Sequence, residues 1–267
     1  MAQSPQLTAI SAENFSGKAW RRYTSYAFAA RETLIPMVVD ELTQAVPAMP
    51  LCFVQSGDGF QFVTVTALQQ GANLFVAPDG RWLGAYVPAA LRVYPFRLVK
   101  PEDREDSVLC INEASGLVVE AGQGETFFDE DGQPGKALRD VFELLSQVER
   151  SRLVTQAAVD ALAAANLVQP WPLRIQQGEQ NLPVTGLYRI DEAALNALED
   201  EAFLTLRRSG SLPMAYAQLL STNQLTVLQR LSQIQEKLKT SAPPVAKNSA
   251  GLRGVGLSQG DGTIKFH

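Results

Sequence analysis

The hydrophobic pattern changes period near Gly122, and no other feature restricts the fold of this chain as much. Before Gly122, short apolar runs alternate with turn residues every few positions; after it, apolar residues recur at helical spacing. Residues 51–54 read as a buried strand, Gly57-Asp58-Gly59 as a turn and residues 60–68 as the returning strand, which predicts a hairpin. Residues 73–76 and 82–87 read as a second pair around the turn Pro78-Asp79-Gly80. Residues 108–111 and 117–120 read as a third, joined through 113–116. From Lys136, the spacing of Leu138, Val141, Phe142, Leu145 and Val148 predicts a helix. Thr155 suits the N-cap of a second helix to about residue 165. Residues 173–175 and 186–190 suggest a small hairpin around Gly178. Asp191 is a good cap for a helix carrying Leu195 and Leu198, Gly210 a helix stop and Pro213 a helix restart. Residues 221–239 carry an apolar stripe from Leu225 to Leu238, expected to pack on its own domain.

The expected fold is therefore α+β: a mostly antiparallel β-sheet region in the N-terminal half, packed with a helical C-terminal half. Residues 1–17, small and polar, are expected to be flexible. Residues 18–240 are expected to form one domain, β-rich at 33–121 and helical at 126–240. Residues 241–267, rich in Ser, Pro, Gly and Lys, are expected to be a disordered tail.

Composition excludes more than it suggests. The only histidine is His267, the last residue, so a Ser-His-Asp or Cys-His system has no positioned imidazole. Cys52 and Cys110, each inside an apolar run, cannot build a Cys₄ zinc site and are expected to be buried, reduced thiols. Gly122-Gln123-Gly124 lacks the third glycine and the βαβ context of a dinucleotide loop, and there is no GxxxxGK[ST] run. Asp129-Glu130-Asp131-Gly132 starts like a calcium loop, but Pro134 falls where that loop needs its sharp-turn glycine, which leaves an acidic turn entering a helix. Glu192, Glu199, Asp200 and Glu201 read as a solvated helix face. No catalytic residue, metal or cofactor is expected. A net charge of −5 argues against nucleic acid, and no apolar run approaches a membrane span. No secretory signal is visible, so a cytoplasmic location is expected, with association at the cell surface by another route left open.

One stretch stands out chemically. Residues 73–96 concentrate Phe75, Trp82, Tyr86, Tyr94 and Phe96 with Arg81, Arg92, Pro88 and Pro95. Arginine stacks on rings and grips carboxylates in a bidentate way, so Arg81, Trp82, Tyr86, Arg92 and Tyr94 are the candidate binding residues. The opposing reading is a structural corner, with the prolines ending strand pairing. Residues 18–31 also interleave rings with Lys18, Arg21 and Arg22, a pattern seen in single-strand binders. In an acidic chain it reads better as rings on the core with snorkelling cations.

The order Asn73-Leu74-Phe75, Asp79-Gly80, Trp82, Tyr86-Val87-Pro88-Ala89, Arg92, Tyr94-Pro95-Phe96 resembles the signature of the bacterial SapC family. Ile35-Pro36-Met37 and Glu41-Leu42 look like that family's N-terminal block, Phe127-Phe128-Asp129 its middle block, and the Gly186–Ser221 region its C-terminal block. The resemblance spans roughly residues 28–230. It implies association with a surface layer or cell envelope, and it brings no catalytic residues. The leading expectation is a non-catalytic accessory protein that recognises a protein or peptide partner. A histidine-free enzyme of a peptide-modification system and a structural surface-layer component are the alternatives.

Overall fold

The structure is a computed structural model that describes residues 6–101, 106–177 and 180–241. The disordered tail expected beyond Thr240 lies, but for Ser241, outside the described residues, as do Gly178 and part of the charged loop after Pro101. In chain order the N-terminal half carries β1 (Leu7–Ala9), α1 (Ala12–Phe15), β2 (Lys18–Trp20), β3 (Leu34–Pro36), α2 (Leu42–Ala45), β4 (Leu51–Ser56), β5 (Gly59–Val65), α3 (Ala89–Arg92), β6 (Phe96–Val99), β7 (Val108–Asn112), β8 (Val118–Glu120) and β9 (Glu125–Thr126). The C-terminal half carries α4 (Lys136–Ala164), β10 (Val168–Pro170), β11 (Leu173–Gln177), β12 (Gln180–Val184), β13 (Leu187–Ile190), α5 (Glu192–Asn196), α6 (Asp200–Arg208), α7 (Leu212–Ser221) and α8 (Leu225–Ser241). Every pairing between these strands is antiparallel. The α+β class, with sheets in the N-terminal half and long helices in the C-terminal half, is as expected. Among the described residues no helix is long and apolar enough to cross a membrane.

The chain divides into two compact units. Among the described residues, one holds those up to Ser25, Met37–Glu41 and those between Val87 and Thr155; the other holds Tyr26–Pro36, Leu42–Tyr86 and those from Gln156 to Ser241.

The first unit has two three-stranded sheets, ordered β1-β7-β6 and β8-β2-β9. Its core gathers Phe15, Trp20, Val93, Phe96, Ile111, Phe127, Leu138 and Leu145. Composition suggested a loose leader before residue 18, yet Leu7–Ala9 pairs with β7. Ser11 caps α1 by accepting the Asn14 N–H, and α1 delivers Phe15 to within 4.8 Å of the Phe127 ring. Burial of that ring, worth about 2–3 kcal/mol, acts together with the β1–β7 pairing to order this short polar segment. Trp20 meets Phe96 edge-on at 4.7 Å. Lys18 and Arg22 lie over the Phe15 and Trp20 rings at 5.2 and 5.6 Å, so the cation–ring interleaving of this segment is core packing with snorkelling charges.

Two further expectations fail in this unit. Residues 108–111 and 117–120 do not pair with each other: β7 joins β1 and β6, while β8 joins β2. A 3₁₀ turn at Glu113–Ser115, ended by Gly116 at φ 69°, sends the chain into the other sheet instead of back along β7. Thr155 does not start a helix either, because α4 runs unbroken from Lys136 to Ala164. The Thr155 hydroxyl donates to Ser151 O at 2.6 Å and accepts the Val39 N–H at 2.9 Å. With no Gly or Pro between residues 148 and 155, nothing ends the helix, and its polar residues serve a neighbouring segment.

The second unit is built on a five-stranded sheet, ordered β10-β13-β4-β5-β3. The β4–β5 hairpin closes at Ser56 opposite Gly59, with Gly57 at φ 57° in the two-residue turn. It buries Leu51, Cys52, Phe53, Phe62, Val63 and Val65. The hairpin expected from 173–175 and 186–190 is partnered differently: β11 pairs with β12, and β13 joins the large sheet beside β4 and β10. Gly186 at φ 83° turns the chain after β12 and frees β13 for that role. The strands β13 and β4 pair at Leu187–Val54 and Tyr188–Phe53. Continuing that register sets Ile190 opposite Leu51, and there the side-chain amide of Gln218 stands between them. Ile190 N–H donates to Gln218 Oε1 at 2.8 Å, and Gln218 Nε2 donates to Leu51 O at 3.2 Å. Asp191 caps α5 through the Ala194 N–H, and Gly210 at φ 71° follows α6, both as read from sequence. On α8, Leu228, Leu231 and Gln235 are all buried, so its stripe packs inward.

Candidate functional site

The five candidate residues fall on both units. Arg81, Trp82 and Tyr86 belong to the second; Arg92 and Tyr94 belong to the first.

In the second unit, residues 73–86 form neither of the strands expected there. They make a loop with one isolated bridge, Val76 to Trp82. The loop is anchored polar group by polar group. Buried Asn73 donates from its amide to Ala29 O and accepts the Phe75 N–H, both at 3.0 Å. Gln235 Nε2 reaches from α8 to Leu74 O at 3.0 Å and Val76 O at 2.6 Å. Gly80, at φ 84°, closes the Pro78-Asp79-Gly80 turn read from sequence, and its carbonyl accepts the Tyr26 N–H at 2.8 Å. Trp82 stacks on fully buried Phe75 at 5.2 Å, has Tyr26 at 5.4 Å, and donates its indole N–H to Tyr86 O at 2.8 Å. Gly84 passes so close beneath that a Cβ there would sit 2.6 Å from Phe75 Cδ1 and 2.8 Å from Trp82 Nε1. Phe75 is thus the interior of this corner, and half-buried Trp82 lies across it. Arg81 is its outward side chain, 68% exposed and ion-paired to Asp79 at 2.6 Å. Hydrogen bonding from Arg81 holds the Asp79 carboxyl below its ordinary range.

In the first unit, the chain enters α3 through Pro88. The Ala89 N–H at the helix start donates to Glu41 Oε1 at 2.6 Å, while Glu41 Oε2 accepts the Val38 N–H at 3.1 Å. Glu41 is only 4% exposed. This carboxylate joins two blocks of the family resemblance, Glu41-Leu42 and Pro88-Ala89, that lie far apart in sequence. Arg92 ends α3 and is exposed; Val93 and Phe96 enter the core on either side of the cis Tyr94–Pro95 bond. Tyr94 is half-buried, with its ring edge-on to Tyr23 at 6.1 Å, and burial raises its hydroxyl pKa.

Sequence reasoning named Glu41 only within a block of the family resemblance, and passed over Gly84 and Gln235. Gln235 had a legible signal: it stands in phase with Leu228 and Leu231 on the apolar stripe of α8, where a polar residue must find partners. The acidic motifs resolve as read. Asp129 Oδ1 accepts the N–H groups of Asp131 and Gln133 at 3.1 and 2.7 Å, which makes a closed turn. Glu192, Glu199, Asp200 and Glu201 are exposed. Cys52 and Cys110 are buried and unpaired, with the Cys52 thiol pushed far up by burial.

These features define an α+β protein whose one dense aromatic stretch is braced by its own buried polar groups. The chain belongs to the SapC family, whose sequence model matches residues 10–228, from the residue before the Ser11 cap into α8. No curated protein and no solved structure matches it.

Proposed function

We propose that the protein is a non-catalytic binding or accessory component of a bacterial cell-envelope or surface-layer-related system, and that it recognises a protein or peptide partner. The observation that carries this reading is the sorting of the aromatic stretch. In the stacked pair Phe75 is buried and Trp82 half-buried against it, while Arg81 and Arg92 are exposed. Arg81 is held by Asp79 on a turn, and Arg92 ends a one-turn helix whose first residue, Ala89, is pinned by Glu41. Arginines on ordered backbone lose little freedom on engaging a carboxylate, which favours recognition of acidic groups on a partner. Family membership supports the envelope setting, and the confinement of histidine to position 267 supports binding over acid–base chemistry.

The test is quantitative capture from the cells of origin with the intact protein and with Arg81→Ala and Arg92→Ala. Both side chains are exposed, so both variants keep the wild-type circular dichroism. At least one variant is expected to lose about tenfold or more in partner recovery, the scale of an interface arginine. Undiminished recovery with both sinks the proposal.

A further inference from the structure

Strand β6 closes its sheet with a row of backbone groups that no strand answers. The order β1-β7-β6 gives it one neighbour, β7. The Asn112 N–H donates to Pro95 O at 3.0 Å, and on the other side of β7 the Ile10 N–H donates to Leu109 O at 2.9 Å. That phase sets Pro95, Arg97 and Val99 toward β7 and turns Phe96, Leu98 and Lys100 outward. The Phe96 N–H is taken by Val93 O at 2.8 Å. Phe96 O, Leu98 N–H, Leu98 O and Lys100 N–H are left, and among the described residues none of them has a hydrogen-bond partner.

Three other edge strands are closed by proline. The end strands of the five-stranded sheet, β3 and β10, carry Pro36 and Pro170, and β12 carries Pro183. A proline there removes a donor and resists a further strand. The four residues of β6 include none, with Pro95 before it and Pro101 after it. The edge is also cationic. Residues 87–101 hold Arg92, Arg97 and Lys100, all exposed, and no Asp or Glu, in a chain with 28 acids to 23 bases. Acids resume at Glu102, past Pro101. Phe96 and Leu98 pack on the core, so Arg97 and Val99, which alternate with them, lie on the outer face beside the open groups.

We propose that β6 is the docking edge for an extended acidic segment of a partner protein, added antiparallel along Leu98 as a fourth strand. The inference rests on the binding reading above and gives it a place on the fold. Charge selects the occupant. Two copies joined along β6 bring two sets of these cations to one seam, where like charges repel. The chain beyond Ser241 carries Lys247, Arg253 and Lys265 against Asp261, so it does not complement the edge either. An acidic segment does, with main-chain bonds giving affinity and alternate side chains giving selection. The residue opposite Leu98 exchanges both bonds with it and shares its core-side face, while the two flanking residues fall on the face of Arg97. The preferred pattern is therefore acid, apolar, acid.

Fluorescence anisotropy with the full chain and a short labelled peptide alternating Glu and Val tests this. The peptide is expected to bind with a dissociation constant of about 100 μM or tighter. Arg97→Glu is expected to weaken binding at least ~10-fold with unchanged circular dichroism, because the side chain is exposed. N-methylation of the valine amides, which face β6, should weaken it by at least as much, and N-methylation of the glutamate amides, which face away, should leave it within about twofold. A peptide alternating Lys and Val should not bind. Absence of binding by the Glu–Val peptide overturns the proposal, as does binding that Arg97→Glu or valine methylation leaves intact. Partner capture that still depends on Arg81 or Arg92 when the peptide fails removes the strand edge alone and leaves the binding reading standing. Peptide binding that meets every expectation while capture ignores both arginines keeps the edge and removes those two residues.

Discussion

The two halves of the Asn73–Phe96 stretch are braced in opposite ways. Around Trp82 the support is distributed: ring stacking on Phe75, an indole bond to Tyr86 O, the Asn73 amide and the Gln235 amide each hold a part. Around Arg92 one buried side chain makes two anchors, because the Glu41 carboxylate holds both the entry to α3 and the Val38 N–H. A distributed brace degrades by increments when one member is removed, whereas a single buried carboxylate leaves two buried donors without an acceptor at once. Both arrangements fix the backbone and leave an arginine outside.

That contrast orders the expected effects. Glu41→Ala should be the most damaging change, lowering unfolding free energy by about 3 kcal/mol in urea, since charge-assisted bonds to two buried N–H groups are lost together. Glu41→Gln keeps an acceptor oxygen and should cost roughly half as much. A Glu41→Ala loss under about 1 kcal/mol would show that the first unit is braced as diffusely as the second. Gln235→Ala should cost about 1–2 kcal/mol, less than Glu41→Ala although it also removes two hydrogen bonds, because orphaned carbonyls are tolerated better than orphaned N–H groups. Trp82→Phe keeps a ring on Phe75 and loses one hydrogen bond, so about 1 kcal/mol is expected, with the near-ultraviolet dichroism reporting the lost indole.

The smallest effect belongs to the Asp79–Arg81 pair on the surface. The folded Asp79 carboxyl lies below its unfolded value, so the pair stabilises at pH values above the unfolded value and that contribution vanishes as pH falls through the lowered folded value. Thermal melts of wild type and Asp79→Asn should therefore differ slightly at neutral pH and converge in acid. A gap that widened on acidification would reverse the assigned sign. Solvent screening of this exposed pair keeps the difference small.

How much of this was readable depends on the range of the interaction. The β4–β5 hairpin was legible because Gly57-Asp58-Gly59 encodes its own turn, and the α5 start because Asp191 supplies its own cap. The partners of β7, β8 and β13 were not legible: neighbouring strands in sequence made a plausible pair in each case, and single glycines at Gly116 and Gly186 redirected the chain. The candidate set was legible as a list of residue types. Its sorting into a ring stack on buried Phe75 and exposed arginines was not, because it depends on Gln235 reaching the loop from α8 and on Asn73 tying the loop to Ala29. Glu41 illustrates the limit most clearly, since its partner, the Ala89 N–H, arrives from 48 residues away.

The central claim is that the rings of this stretch are architecture and its arginines are the reading surface. Quantitative mass spectrometry of partner captured by wild type, Arg81→Ala, Arg92→Ala and Trp82→Phe tests it in one measurement. Trp82→Phe should capture fully despite its lower stability, while at least one arginine variant should capture at least tenfold less at nearly unchanged stability. Capture lost with Trp82→Phe and kept with both arginine variants would contradict it.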